Sequence, residues 1–537
     1  MASSLSCKKV LLLSLALFQS AIVAKPLFPR GQNGTCTKTK VAVLGAGMTG
    51  IAAAQTLHNN SISDFIIVDV NDYIGGRVKH TNFGKDANGN PYVVELGANW
   101  VQGLVSPGGP ENPIWTLAQK WGINNTYSNY SSILTYDQTG FVDYSSYFDD
   151  YNNAYSVLEQ EAGTILTQNY QDRTMRTGFS IADWKPKKDV QKQAVEWWNF
   201  DFEYAYSPEQ SSQTWAVVNY NTSFYQYSEA NNFVWDQRGY NYFIQGEAST
   251  FLSPNDTRLH LSTNVTSITY TNNGVTITND DGSCIEADYA ICTFSLGVLQ
   301  NDIVSFTPAL PAWKQTGIEG MQMGTYTKIF LQFPPSSDGT YFWETPTADT
   351  QFYLYADPTE RGWYPVFQSL TAPGFLPDSG IFFVTVVSAQ SYRAEQQSDD
   401  ATLAEVMAVL KKMFGEENVP EPIDFLYPRW STESWAYGSY SNWPPGMSLE
   451  THQNLRANLG RLWFAGEATS AEYFGFLQGA YFEGQAAGNT IAGCINGNKT
   501  ECKNEASYEV IRGCTTSERQ LTPNNGWFVS SMETYGF

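Results

Sequence analysis

The chain has 537 residues, 42% of them hydrophobic and 15% aromatic, which is a globular composition too long for a single hydrophobic core. Its formal net charge of −22 excludes a nucleic-acid binder that works by phosphate neutralisation. The same charge suits either a cationic ligand steered into a cleft or an acidic, soluble surface.

In chain order, the first segment is "MASSLSCKKVLLLSLALFQSAIVAKPLFPR", where Lys8 and Lys9 precede an apolar run from Val10 to Phe18 and Ala24 offers a small residue for cleavage. This is the layout of a secretory signal peptide, expected over residues 1–24, and the run is too short to span a bilayer. No later apolar stretch reaches spanning length, so no membrane partner is expected. Asn-x-Ser/Thr sequons at Asn33, Asn59, Asn124, Asn129, Asn221, Asn255, Asn264 and Asn498 suit passage through a secretory pathway, although Asn264 falls in a strand pattern with no room for a glycan. Cys36 precedes the first strand pattern, and Cys494, Cys502 and Cys514 lie near the C-terminus. One or two disulfides pinning the ends are expected, with connectivity open. Cys284 and Cys292 flank a strand pattern and read as buried apolar thiols. No cysteine or histidine cluster has metal-ligand spacing, so no metal is expected.

The stretch "KTKVAVLGAGMTGIAAAQTL" runs from an apolar strand through three glycines into an alanine-rich helix. Gly45 permits the tight turn, Gly47 lets the backbone approach a pyrophosphate, and Gly50 lets the helix pack closely on the strand. The helix N-terminus then faces the phosphates. A second strand, "DFIIVDV", carries Asp69 nineteen residues past Gly50, where a carboxylate accepts from ribose hydroxyls. This is a Rossmann-type βαβ unit. Next, "IGGRV" adds Gly75 and Gly76, whose backbone N–H groups suit a pyrophosphate, and Arg77, which offsets its charge.

Residues 151–230 are polar and rich in Tyr, Trp and Gln, with helix-length segments such as "DVQKQAVEWWNFDFEYAY". An antiparallel ribbon follows, turning at Asn273-Gly274. The stretch from about 322 to 442 mixes the strands "TKIFLQF" and "IFFVTVV" with the helix "DATLAEVMAVLKKMF". Dinucleotide-type signals return at "GRLWFAGEAT" and the small-residue helix "GAYFEGQAAGNTIAG". Two interleaved domains explain this order. The expected division is a dinucleotide domain over 38–118, 232–321 and 443–495, a substrate domain over 119–231 and 322–442, and a C-terminal tail over 496–537.

The ordered stretches "VLGAGMTGIAAA", "DVNDYIGGRV", "VELGANWVQG", "DQRGY", "SLGVLQ", "TYTKIFLQF", "PRWSTESWAYGSYSNWPPG", "GRLWFAGEATS" and "GFLQGAYFEG" resemble the flavin-containing amine oxidases, above all plant and fungal polyamine oxidases, from about Lys40 to Gly493. The resemblance implies an α/β fold: a Rossmann-type, glutathione-reductase-like FAD domain interleaved with an α+β substrate domain on a mixed sheet. It implies FAD contacts from Gly45, Gly47, Gly50, Asp69, Arg77, Gly97, Ala98, Trp100, Val265, Trp430 and Glu467. Asp69 stands where the family more often has Glu. Ser439 stands near the place of a flavin-linking cysteine, so FAD is expected to be held non-covalently.

For substrate, the resemblance implies that Lys328 reaches the reactive flavin nitrogen through a water, with Tyr326 on the same side of the strand and Tyr440 and Phe476 flanking the amine. The plant pattern has Phe and Tyr at these last two positions, so the phenol has changed sides. Glu203 matches a tunnel acid, whereas Gln102 replaces a second acid. As bare sequence, Lys328 reads as an outward strand residue and the aromatics as core. The implied activity is oxidation of spermine- or spermidine-type amines by dioxygen to an aminoaldehyde, an amine and hydrogen peroxide, in a secreted protein. Competing readings are a monoamine or L-amino-acid oxidase, the latter lacking an Arg beside the aromatic pair, and a non-catalytic secreted flavoprotein. The sequence leaves the oligomeric state open, with a monomer as the working expectation.

Overall fold

The computed structural model describes residues 36–168, 170–344 and 350–511. The expected signal segment, Asn33 and Cys514 lie outside them.

The opening strand Thr37–Leu44 is buried along its last four residues and turns at Gly45 into the helix Met48–Asn59, which returns to the parallel strand Phe65–Val68. This is the expected βαβ unit. Its sheet has eight strands. In order they are Leu259–His260, Phe65–Val68, Thr37–Leu44, Cys284–Cys292, Val275–Asn279, Val265–Tyr270 and Ser305–Thr307, with Leu462–Phe464 pairing in parallel to the end of Cys284–Cys292. The ribbon Val265–Tyr270 and Val275–Asn279 is antiparallel, with Tyr270 opposite Val275 across the turn that holds Asn273-Gly274. The helix Leu477–Ile495 lies on Met48–Asn59. A Cβ at Gly484 would stand 2.3 Å from Thr49 O, and one at Gly488 2.8 Å from Ala53 O, so small residues there bring the two backbones together.

A second sheet of seven strands runs Asp424–Leu426, Tyr326–Gln332, Ile381–Val387, Val366–Ser369, Phe352–Ala356, Ile133–Asp137, Gly140–Phe141. It is mixed: Phe352–Ala356 runs parallel to Ile133–Asp137 and the other pairings are antiparallel. The helix Asp399–Phe414 covers one face, its N-terminus capped by Ser398 and its buried Val406, Val409, Leu410 and Met413 at helical spacing. The Rossmann-type sheet and this mixed sheet match the expected fold class.

The expectation for Cys284 is overturned, because it forms a disulfide with Cys36. The register explains it. Thr37 sits opposite Ile285 in the parallel pair, so the residues one step earlier, Cys36 and Cys284, face each other with Cα atoms 4.6 Å apart. Cys494 pairs with Cys502, and Cys292 is a buried free thiol, as expected. Among the sequons, Asn221 is buried in the helix Gln213–Tyr227 with its amide on Glu159, so it cannot carry a glycan in the folded chain. Asn59, Asn124, Asn129, Asn255 and Asn498 are exposed. Among the described residues no helix is long and apolar enough to cross a membrane, and no group of His, Cys, Asp and Glu side chains is arranged to hold a metal.

Candidate active site

A cavity of about 450 Å³ is lined both by the glycine loop of the first sheet and by Phe202, Glu203, Tyr326 and Tyr440. At the loop, Gly45 takes φ +125°, and a Cβ there would lie 2.2 Å from Thr293 Oγ1. A Cβ on Gly50 would lie 1.9 Å from Gly45 O, so the third glycine seats the helix against the turn. Gly47 and Gly75 bridge, Gly75 N–H donating to Ala46 O, and this brings the two glycine turns side by side along the wall. A Cβ on Gly466 would meet no atom within 4 Å and would project into the cavity.

Asp69 lines the cavity, but its carboxylate already accepts from Ala46 N (2.6 Å), Asn71 N (2.8 Å) and Asn71 Nδ2 (3.1 Å). It shapes the loop as well as facing a ligand. Burial pushes its pKa up, and those backbone donors oppose the shift. Arg77 Nη1 donates to Glu467 Oε1 (2.9 Å) and Ser439 O (3.0 Å), so only the other guanidinium nitrogens could meet a phosphate. Glu467 Oε2 also accepts from Ser441 Oγ and Gly475 N. Gly97, Ala98, Trp100, Val265 and Trp430 line the same cavity, Trp430 Nε1 donating to Leu96 O. Gly97 carries Arg77 O where a Cβ would be, 1.7 Å away. Helix N-terminus, paired glycine turns and an unobstructed wall at Gly466 together fit a dinucleotide that is bound along its length.

The same cavity reaches an aromatic chamber. Ring centres step from Trp100 to Phe202 (6.0 Å), Phe202 to Tyr326 (5.7 Å) and Tyr326 to Tyr440 (6.1 Å), and Phe476 lines the wall ahead of the helix Leu477–Ile495. Into this chamber faces Glu203. Gln102 Nε2 donates to its Oε1 at 2.8 Å, and Tyr440 OH donates to its backbone O at 2.8 Å. Glu203 keeps accessible surface, but that surface opens on the cavity and not on bulk water. Burial pushes its pKa up to about 7, against the Gln102 hydrogen bond.

Strand alternation puts Tyr326 and Lys328 on one face of Tyr326–Gln332, with Thr327 on the other, bonded to Glu395 and Ser391. Lys328 is 1% exposed and stands one layer behind the cavity wall. Its Nζ donates to Gly97 O (2.9 Å) and Asn99 Oδ1 (2.7 Å), and lies 5.8 Å from the Trp100 ring centre. Burial drives its pKa down, and the Glu95 carboxylate opposes this. Glu95 is itself pushed up by burial, against Tyr240 N–H and Lys328, so the two groups tune each other.

Asn99, Glu95, Tyr130, Phe202 and Tyr204 went unmarked in the sequence. Phe202 and Tyr204 flank Glu203 in "FDFEYAY", a signal that was present, whereas Tyr130 comes from a loop with no pattern of its own.

A dinucleotide loop that shares one cavity with a chamber of aromatics and a carboxylate, with a buried lysine behind its wall, defines a dinucleotide-dependent oxidoreductase. The profile of the family described as flavin containing amine oxidoreductase matches residues 48–492, and the chain belongs to that family. It is an FAD-dependent amine oxidase. It is 35% identical to "Polyamine oxidase 1" of Zea mays over 513 residues, 92% of this chain and 96% of the maize protein. It is 36% identical to "Polyamine oxidase 7" of Oryza sativa subsp. japonica, over 83% of this chain and 93% of that protein. Among solved structures, a putrescine oxidase variant superposes with a TM-score of 0.65 at 16% identity, covering 85% of this chain and 99% of the other, a likeness of fold.

Proposed function

We propose that the protein is a secreted polyamine oxidase acting on spermine- or spermidine-type amines. The overall reaction joins amine, dioxygen and water and yields an aminoaldehyde, a shorter amine and hydrogen peroxide, one of each per turnover. The observation that carries this reading is Glu203, a carboxylate set among aromatic rings in the cavity that the glycine loop also lines.

An alkylamine has a pKa near the lysine reference of about 10.4 and arrives charged. The carbon beside nitrogen gives up hydride only when the nitrogen is neutral, so a site must gather a cation and then react with a free base. Glu203 suits the first task by holding a distal ammonium. The Trp100, Phe202, Tyr326 and Tyr440 rings suit the second, because an apolar surround disfavours charge on the reacting nitrogen. FAD, when bound, would supply the two-electron redox chemistry between amine and dioxygen. Gly45, Gly47, Arg77, Glu467 and their neighbours would hold it, and with Ser439 Oγ committed to Tyr326 N and O there is no thiol at that place to link it. Lys328 holds its proton between Gly97 O and Asn99 Oδ1, where an intervening water could pass it toward the reacting centre. The rings fix the amine's attitude, which is where much of the rate acceleration comes from.

Two disulfides and the exposed sequons support an oxidising, secretory setting. Incubating purified protein with spermidine and oxygen, then identifying aldehyde, amine and peroxide in equal amounts, tests the activity. Recovery of the full chain, trimmed at its N-terminus, from the culture medium tests secretion. Absence of aldehyde, or retention of an untrimmed chain in cells, would contradict the respective part.

A further inference from the structure

Glu203 is only as well aimed as the backbone beneath it, and that backbone is unusual. The helix Val190–Glu196 does not continue as an α-helix. Residues Trp197–Asp201 wind as a π turn, with Phe202 N–H donating to Trp197 O five residues back, before the short helix Phe202–Tyr204. A π turn inserts one extra residue, so every side chain after it is rotated by about one helical position, roughly 100°. Phe202, Glu203 and Tyr204 follow the turn directly, and all three line the cavity.

π turns are poorly stable in isolation and persist where the surroundings hold them. Here the hold comes from the loop after Phe352–Ala356. Arg361 Nη1 donates to Asp201 Oδ2 (2.6 Å), while Nη2 donates to both Asp201 Oδ1 (2.7 Å) and Glu196 Oε1 (2.9 Å). One planar guanidinium thereby ties the last α-helical residue to the last residue of the π turn, a geometry that lysine's point charge cannot reproduce. Both carboxylates are buried, Glu196 completely and Asp201 to 3% exposure. Glu196 Oε2 is also held by Arg176 Nη1 (2.6 Å) and Trp184 Nε1 (2.9 Å). The next residue, Gly362, has φ +81°, and a Cβ there would stand 3.0 Å from Trp197 Nε1, so the loop backbone rests directly on the start of the turn. Arg361, Glu196 and Asp201 are all outside the cavity lining.

We propose that Arg361 is a positioning residue for substrate selection: by stapling the π turn it sets the direction of Glu203, and so the preference for amines that carry a second, distal cation. This rests on the reading that Glu203 receives that distal ammonium.

The test uses the flavin-loaded, full-length enzyme with a matched pair, 1,8-diaminooctane and octylamine, which differ only in the second nitrogen. Each is measured as substrate or, where turnover is slow, as competitive inhibitor of spermidine oxidation. Glu203→Gln should lower the diamine-to-monoamine preference by about five- to a hundredfold. Arg361→Met should lower it by about fivefold or more, mainly through KM or Ki for the diamine, with flavin content kept and the monoamine constants changing less than the diamine constants. Arg361→Lys should fall between Met and wild type. If Arg361→Met does not accumulate as a flavoprotein, Arg361→Lys carries the test, and a lowered preference is still required. A preference unchanged in the Arg361 variants, while Glu203→Gln loses it, overturns the positioning role and leaves the reading of Glu203 intact. An unchanged preference in Glu203→Gln overturns that reading, and the proposal with it.

Discussion

Replacing Lys328 with methionine separates what the lysine does for the fold from what it does for the reaction. Methionine keeps the length of the side chain and removes its charge and donors. Two acceptors, Gly97 O and Asn99 Oδ1, then lose their partner, and a buried acceptor left unmet costs roughly 1–3 kcal/mol. Against this, the substitution removes a buried ammonium whose depressed pKa reports its own desolvation cost. The two terms oppose each other, so the net loss of stability should be on the order of 1–3 kcal/mol, small enough to leave a folded flavoprotein. Glu95 also loses the cation that opposes its upward shift, so it becomes more fully protonated, which spares the variant a buried unpaired carboxylate. The catalytic loss should be larger. A positioned acid–base group contributes about a hundredfold or more, roughly 3 kcal/mol of barrier. Stopped-flow mixing under anaerobic conditions reads flavin reduction by spermidine, and mixing the reduced enzyme with dioxygen reads reoxidation. At least one half-reaction should slow by about a hundredfold while flavin stays bound. Both half-reactions matching wild type would remove Lys328 from the mechanism and leave it a strut between the strand Tyr326–Gln332 and the Gly97–Asn99 turn.

Burial raises the Glu203 pKa to about 7, so in the free enzyme the carboxylate is protonated below that value and charged above it. The ratio of kcat/KM for a polyamine to that for a monoamine should therefore rise with pH through about 7 in wild type and stay flat in Glu203→Gln; a flat wild-type ratio would contradict the assignment. Mild acid precipitation should release the flavin into the supernatant, because Ser439 offers no thiol, and colour retained in the pellet would refute non-covalent binding. Gly50→Ala forces a methyl to within 1.9 Å of Gly45 O, so the loop must open, and the variant should purify depleted of flavin with a lowered melting temperature; full flavin occupancy would show that the loop tolerates the shift.

Local patterns in the chain were enough for the elements that carry the cofactor loop. The βαβ unit is legible because an apolar strand, three glycines and an alanine-rich helix follow one another without interruption. The ribbon turning at Asn273-Gly274 and the helix Asp399–Phe414 were legible for the same reason, period and punctuation in one short window. Contacts between distant stretches were not. The Cys36–Cys284 bridge depends on a parallel register between strands some 248 residues apart, and two cysteines at strand ends look alike until that register is known. Gln102 and Glu203 stand 101 positions apart, so Gln102 read only as a missing acid, when its amide in fact holds the remaining one. The segment "VQKQAVEWWNFDFEYAY" has the composition of one helix, and its π turn has no local signature because the staple that maintains it, Arg361, arrives from another strand's loop. Asp69 is the intermediate case. Its place after the second strand was readable, but its bonds to Ala46 and Asn71, which make it part of the loop's own scaffold, were not.

One cavity joins the FAD cradle to an aromatic chamber whose Glu203 we propose receives the distal charge of a polyamine. Anaerobic mixing of the flavoprotein with equal concentrations of spermine, spermidine, N-acetylspermine, tyramine and an L-amino acid, followed by flavin bleaching, tests it most directly. The account predicts complete and fastest bleaching by spermine or spermidine, with tyramine slower and the amino acid inert. Bleaching led by tyramine or the amino acid, or by none of the five, would contradict it.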